Sequence, residues 1–195
     1  QELEFLIIYS DCINFSRDLI NSPANKLNPS TYYSKIKNNN LFKSFNFIDY
    51  TEKEINSNFP LTCAVGKSSS SKPKVIEITN RKLSKNDKPL VIIGKGVTFD
   101  TGGVNIKPGT SMRNMKKDMG GSAIAISLFL LANYFLKKTK IVLIAPIAEN
   151  AISSKSMRPG DVYSSLSGKS VEIAHTDAEG RLLLADAIEK ASSYN

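Results

Sequence analysis

Along the first 22 residues Leu3, Leu6, Ile7, Cys12, Phe15 and Leu19 return at roughly helical intervals until Ser22-Pro23 ends the pattern, which predicts a helix. Asn28-Pro29-Ser30 then reads as the start of a second helix, with Asn28 or Ser30 as cap and Tyr32, Ile36 and Leu41 on the inner face. From Phe45 the pattern changes to short β-branched and aromatic segments, 45–49, 74–78 and 90–93, separated by the loops KSSSSKP and RKLSKNDKP. Residues 118–136 read as one long helix, because Ile124, Leu128, Leu131, Ala132 and Phe135 fall three and four apart behind the small Gly120-Gly121-Ser122. Residues 141–146 form a continuous apolar run of the kind buried on both faces of a sheet. A further strand is expected over 171–174 and a last helix over 182–191.

This order predicts an α/β fold with a mostly parallel sheet flanked by helices. Residues 1–44 form a helical segment that leads into an α/β domain over 45–195. In such sheets ligands sit beyond the carboxyl ends of the strands, which decides where to look for chemistry.

Composition narrows the class. With 195 residues, 41% of them hydrophobic and 23% charged, the chain has the profile of an ordinary globular protein, not a disordered or collagen-like one. Cys12 and Cys63 match no metal or disulfide spacing and read as reduced cytosolic thiols. No membrane segment is expected, since the apolar runs near the N-terminus and over 124–136 are both too short for a span, and the N-terminus lacks the basic region of a signal peptide. The net charge of +8 raises nucleic acid as a partner. The lysines, however, are scattered among Asn and Ser with no interleaved aromatic residues, which favours a solvated surface.

Two acidic sets follow expected strands. The strand LVIIG runs into Lys95-Gly96-Val97-Thr98-Phe99-Asp100-Thr101-Gly102-Gly103, and VEIAH runs into Thr176-Asp177-Ala178-Glu179-Gly180-Arg181. Asp118 heads the long helix, either as a favourable charge on its dipole or facing the same crevice. Three aspartates and a glutamate converging would repel one another by several kcal/mol unless cations neutralised them, and a pair of divalent ions is the economical answer. Oxygen-rich ligation suits Mg or Mn and admits Zn. Each piece has a bland alternative: a Gly-rich turn, a helix cap at Asp177 or Glu179, a salt-bridged Lys95. A phosphate loop fits poorly, because GKGVTFDTGG lacks the GxxxxGK[ST] order and carries an acid where phosphate would sit.

Together the stretches VIIGKGVTFDTGGVNIKP, MRNMKKDMGG and RPGDVYSSLSGKSVEIAHTDAEGRLLLADA resemble the M17 leucine aminopeptidases, and the likeness runs from about Ser16 to the last residue. The resemblance implies a cytoplasmic metallo-aminopeptidase that releases N-terminal, leucine-type residues from peptides. It implies Lys95, Asp100, Asp118, Asp177 and Glu179 as ligands of two divalent ions, with Asp100 and Glu179 bridging. A ligating Lys95 must be a neutral amine, far from its usual pKa of about 10.4, a shift that a dication supplies. Lys107 is implied as the group that stabilises the oxyanion, and Arg181 as the partner of a bicarbonate ion that carries the proton. Met115 is implied to line the pocket for the first substrate side chain, although a buried Met more often only packs. His175, the one histidine, stands where the family commonly has Asn, so a structural role is expected of it.

Members of that family carry a further N-terminal domain and continue beyond the position of Asn195. The resemblance therefore implies an incomplete sheet with an unpaired edge, in a chain that is a fragment or a shortened relative. Family members form hexamers, which makes a homo-oligomer a possibility to weigh. A metal-binding relative without catalysis and a nucleic-acid-binding protein stand as the alternatives of other classes.

Overall fold

The fold follows from where the chain caps its helices and where it buries apolar strands; the computed structural model describes residues 2–194. Helix α1 (Glu2–Asn21) is followed by α2 (Pro29–Lys37), which starts at a reciprocal capping box. Asn28 accepts from the Thr31 N–H at 3.0 Å, and the Thr31 hydroxyl accepts from the Asn28 N–H at 2.9 Å. Strand β1 (Asn46–Ile48) then leads to two helices that hydrophobic spacing did not reveal, α3 (Glu52–Asn58) and α4 (Pro60–Gly66). Their signals are present nevertheless: Thr51 and Glu54 form a second capping box, and Pro60 opens α4 from its first turn.

Strands β2 (Lys74–Thr79), β3 (Leu90–Ile93) and β4 (Gly96–Asp100) precede a short helix α5 (Gly109–Met112) and a 3-10 turn over Met115–Met119. Helix α6 (Gly120–Phe135), the central strand β5 (Ile141–Asn150), a hairpin of β6 (Val162–Ser164) and β7 (Ser170–Glu172), and helix α7 (Gly180–Ser192) complete the order.

The α/β class holds, and within the sheet both strand senses occur. β5 pairs antiparallel with β2, which pairs antiparallel with β1. On its other side β5 pairs parallel with β3 through Ile141–Ile144 and with β4 through 147–150. The sheet is thus mixed, and its parallel half bears the candidate site. β3 and β4 are two parts of one edge, interrupted at Gly94-Lys95. That interruption explains how the central strand runs through Pro146, where the sequence reading stopped it. The Gly94 N–H donates to the Ile144 carbonyl, and Pro146, two residues on, presents its backbone to the same side. Its missing N–H therefore faces the break.

The largest core cluster joins α1, α2, α6 and the sheet through residues such as Leu19, Tyr32, Ile36, Phe129 and Leu143, all fully buried. Three details differ from the hydrophobic pattern. Leu41 falls in a 3-10 turn and is exposed, not on the inner face of α2. Asp118 precedes α6 in the 3-10 turn. Of the face of α6 picked out by spacing, Leu131 and Ala132 pack in the core, but Ile124, Leu128 and Phe135 are 50–61% exposed, while Ala123, Ile126, Phe129 and Leu130 pack inward. With apolar residues on most of its circumference, α6 gives two possible stripes by spacing, and only contact with α1 and β5 selects one. Together with the 3-10 turn it has the length and apolarity of a membrane span, but half of that window is buried in the core.

The β6–β7 hairpin lies outside the main sheet, so the strand expected over 171–174 belongs to a separate two-stranded unit. Asp186 ties this region together. It is fully buried on α7 and accepts from the Leu61 N–H at the start of α4 (2.7 Å) and from the Leu166 N–H in the hairpin turn (2.9 Å). Burial raises its pKa and these backbone donors pull it down. Replacing Asp186 with Ala leaves both N–H groups without a partner and is expected to cost roughly 2–4 kcal/mol, read as a lower urea midpoint at unchanged slope.

Candidate metal centre

Asp100 is the last residue of β4 and faces Asn150, the last residue of β5, so it stands at the carboxyl end of the parallel pair as the sheet rule expects. Lys95 leaves the sheet at the β3/β4 break, Asp118 comes from the turn before α6, and Glu179 is the residue from which α7 starts. Asp177 and Glu179 reach the site from the loop beyond the hairpin, not from a strand of the main sheet, which corrects the reading of VEIAH as a sheet strand.

The structure brings Lys95, Asp100, Lys107, Asp118, Asp177 and Glu179 together. Carboxylate oxygens of Asp100, Asp177 and Glu179 lie within 4.8 Å of one another. The Lys95 ammonium donates to both oxygens of Asp118 at 2.7 Å and lies 3.1 Å from Glu179. The Lys107 ammonium lies 3.0 Å from Asp100 and in contact with Asp177. Two lysines thus stand against four carboxylates, leaving two negative charges in excess. Asp177 Oδ1, despite its ionic contact with Lys107, and Glu179 Oε2 are buried oxygens that receive no hydrogen bond. Buried acceptors of this kind are costly unless another group uses them.

Neither Glu179 nor Asp118 makes a side-chain helix-capping bond. Glu179 has helical backbone angles and makes no side-chain capping bond, and no side chain caps the turn that holds Asp118. Burial raises the pKa of Glu179, with the Asp100 charge adding to it, and burial raises that of Asp118 against the pull of Lys95. Burial works against the ammonium groups of Lys95 and Lys107, but their carboxylate partners outweigh it and hold both pKa values above the usual lysine range. A neutral, ligating Lys95 therefore requires a dication to displace its proton.

Glycines make this crowding possible. Gly180 lets the Lys95 side chain cross the first turn of α7, since a Cβ there would lie 2.5 Å from Lys95 Cε. Gly102 has φ +85°, and a Cβ on it would meet the Asn105 carbonyl at 2.5 Å.

Of the remaining expected residues, Arg181 is exposed in the first turn of α7 and forms no ion pair among the described residues. Met115 is half-buried at the start of the turn that carries Asp118. His175 is exposed, and its Nδ1 accepts from the Asp177 N–H at 3.1 Å, which shapes the loop. Sequence reasoning passed over three buried or half-buried polar residues beside the acids: Asn105, Asn150 and Thr176. The Asn105 and Thr176 N–H groups each donate to the other's side chain at 2.9 Å, and the Thr176 hydroxyl donates to the Gly102 carbonyl at 2.6 Å. The available signal was a polar pair, Glu149-Asn150, closing an otherwise apolar strand.

Comparison with known proteins places the chain in a family. Residues 14–195 match the family described as "Cytosol aminopeptidase family, catalytic domain". The cytosol aminopeptidase of Encephalitozoon cuniculi is 38% identical over 97% of this chain and 39% of its own length. A crystal structure of a cytosol aminopeptidase from Coxiella burnetii superposes with a TM-score of 0.79 at 38% identity, over 91% of this chain and 38% of that one. The bottromycin maturation enzyme BotP, solved in complex with Mn, gives a TM-score of 0.85 at 32% identity, over 95% of this chain and 40% of that one. The chain thus spans about two fifths of the length of these relatives.

Proposed function

Because this chain belongs to the cytosol aminopeptidase family, whose catalytic domain it matches over residues 14–195, we propose that it carries the metal centre of an aminopeptidase that releases N-terminal amino acids, leucine-type in preference, from peptides in the cytoplasm. The observation that carries this reading is the charge imbalance: four converging carboxylates, two lysines, and two buried oxygens with no hydrogen bond. Lys95, Asp100, Asp118, Asp177 and Glu179 would hold two divalent ions, Mn, Zn or Mg, and the complex of BotP with Mn supports a divalent ion at such a site. When bound, such a pair supplies Lewis acidity for the scissile carbonyl and an anchor for the free amino terminus.

The chain's own groups do the rest. Lys107 is held beside Asp100 and Asp177 and positively charged, so it is placed to stabilise the developing oxyanion. Arg181, exposed and without an ion pair among the described residues, would hold a bicarbonate ion, which would supply a proton carrier when bound. Met115, in the same 3-10 turn as Asp118, would contact the first substrate side chain.

The test is the uptake of Mn²⁺ or Zn²⁺ by this chain together with hydrolysis of leucine amide. Two ions per chain and hydrolysis are expected. Uptake without hydrolysis leaves a metal-binding relative, and no uptake overturns the reading. Lys107→Met should lower turnover by roughly 10²–10³-fold while both ions are still bound, since it removes an oxyanion group and not a ligand.

A further inference from the structure

Asp100 is held in an asymmetric way. Its Oδ1 accepts two hydrogen bonds, from the Gly102 N–H at 2.9 Å and from Asn150 Nδ2 at 2.8 Å, while Oδ2 is turned toward Lys107 at 3.0 Å. The same Asn150 amide donates to the Thr176 carbonyl at 3.1 Å, immediately before Asp177. Both partners are acceptors, so the amide nitrogen is fixed on this side and the group is not free to flip. Asn150 itself is 1% exposed and sits at the end of β5, the most buried strand of the sheet. One side chain thus links the carboxyl end of β4, which bears Asp100, to the separate loop that bears Asp177 and Glu179.

We infer that Asn150 is a positioning residue of the metal centre: it fixes which oxygen of Asp100 faces the ions and sets the distance between the two acidic segments. This rests on the metal reading above. Side chains that orient ligands in this way commonly change metal affinity by 10–100-fold when removed. The Gly102 backbone also touches both segments, through its N–H to Asp100 and its carbonyl to the Thr176 hydroxyl, but without the amide Asp100 Oδ1 keeps one donor in place of two and the Thr176 carbonyl loses its bond to the end of β5.

Titration of the 195-residue chain with Mn²⁺, followed through the resonance of the free ion, tests the inference, with thermal unfolding by circular dichroism as the control for folding. Asn150→Ala is expected to bind Mn²⁺ 10–100-fold more weakly than wild type. Asn150→Asp keeps the shape, removes the donor and brings a negative charge next to the site. Added charge alone would tighten cation binding, whereas loss of positioning loosens it, and a weaker affinity is expected. If Asn150→Ala does not fold, the Asp variant decides. Affinity equal to or tighter than wild type in a folded variant overturns the inference and leaves the metal reading standing. A wild-type chain that takes up no Mn²⁺ overturns both.

Discussion

Metal-free Glu179→Gln protein is expected to unfold at a higher temperature than wild type while binding Mn²⁺ at least a hundredfold more weakly. Glu179 is 2% exposed, and among the described residues one of its oxygens has no hydrogen bond and Lys95 is its one ion-pair partner against three other carboxylates. Gln has nearly the same volume, carries no charge, and brings an N–H that can donate to a neighbouring carboxylate. Relief of this repulsion should be worth roughly 1 kcal/mol, or about 2–4 °C in a chain of this size. The same change removes a charged donor from the proposed ligand set. Differential scanning calorimetry of the metal-free proteins and a metal titration read the two effects separately. A variant less stable than wild type without metal, or one that binds Mn²⁺ as wild type does, would sink the account of Glu179 as a strained ligand.

The sign of the pH dependence follows from the same strain. Glu179 and Asp118 hold their protons more tightly in the folded chain than in the unfolded one. The metal-free fold therefore gains most below the ordinary carboxylate range and loses that contribution as pH rises through the raised values. Stability spent in this way at a functional site is the expected trade between activity and folding.

Gly180→Ala should weaken metal binding by at least tenfold without unfolding the protein. The added Cβ would stand 2.5, 2.8 and 3.0 Å from Cε, Cδ and Nζ of Lys95. These are the far atoms of a flexible side chain, so the backbone need not move. Lys95 must instead swing away from Asp118 and Glu179 and surrender its place in the cluster. Ala is also the better helix former, and Gly180 begins α7, so the fold itself gains a few tenths of a kcal/mol or more. Weaker Mn²⁺ binding in a protein whose melting temperature is unchanged or raised is the expected pair of results. Unchanged affinity would show that Lys95 reaches the centre by another path or takes no part in it.

Much of this site could be read from residues in order. The runs after LVIIG and VEIAH, with their acids and glycines, mark the ligand candidates through their combined resemblance to a family, since each run taken alone could be a turn or a helix cap. The supports were harder to read. Asn150 looks like the polar end of an apolar strand, and its partners are 50 residues back at Asp100 and 26 residues on at Thr176. Hydrophobic spacing likewise missed α3 and α4, whose short lengths give little periodicity, although the Thr51–Glu54 box announced the first of them.

The sequence by itself determined the α/β class, the two early helices and the central apolar strand, because these depend on local periodicity and capping, whereas the set of acidic and basic candidates was singled out by the resemblance of its motifs to a family. Tertiary structure alone decided which stripe of α6 turns inward, that the strand before Asp177 belongs to a hairpin outside the sheet, and that a buried amide joins the two acidic segments. The physical reason is the same in each case. An apolar helix offers several equivalent faces, a short strand can pair with more than one neighbour, and a hydrogen bond across the chain has no local signature until packing brings its two ends together.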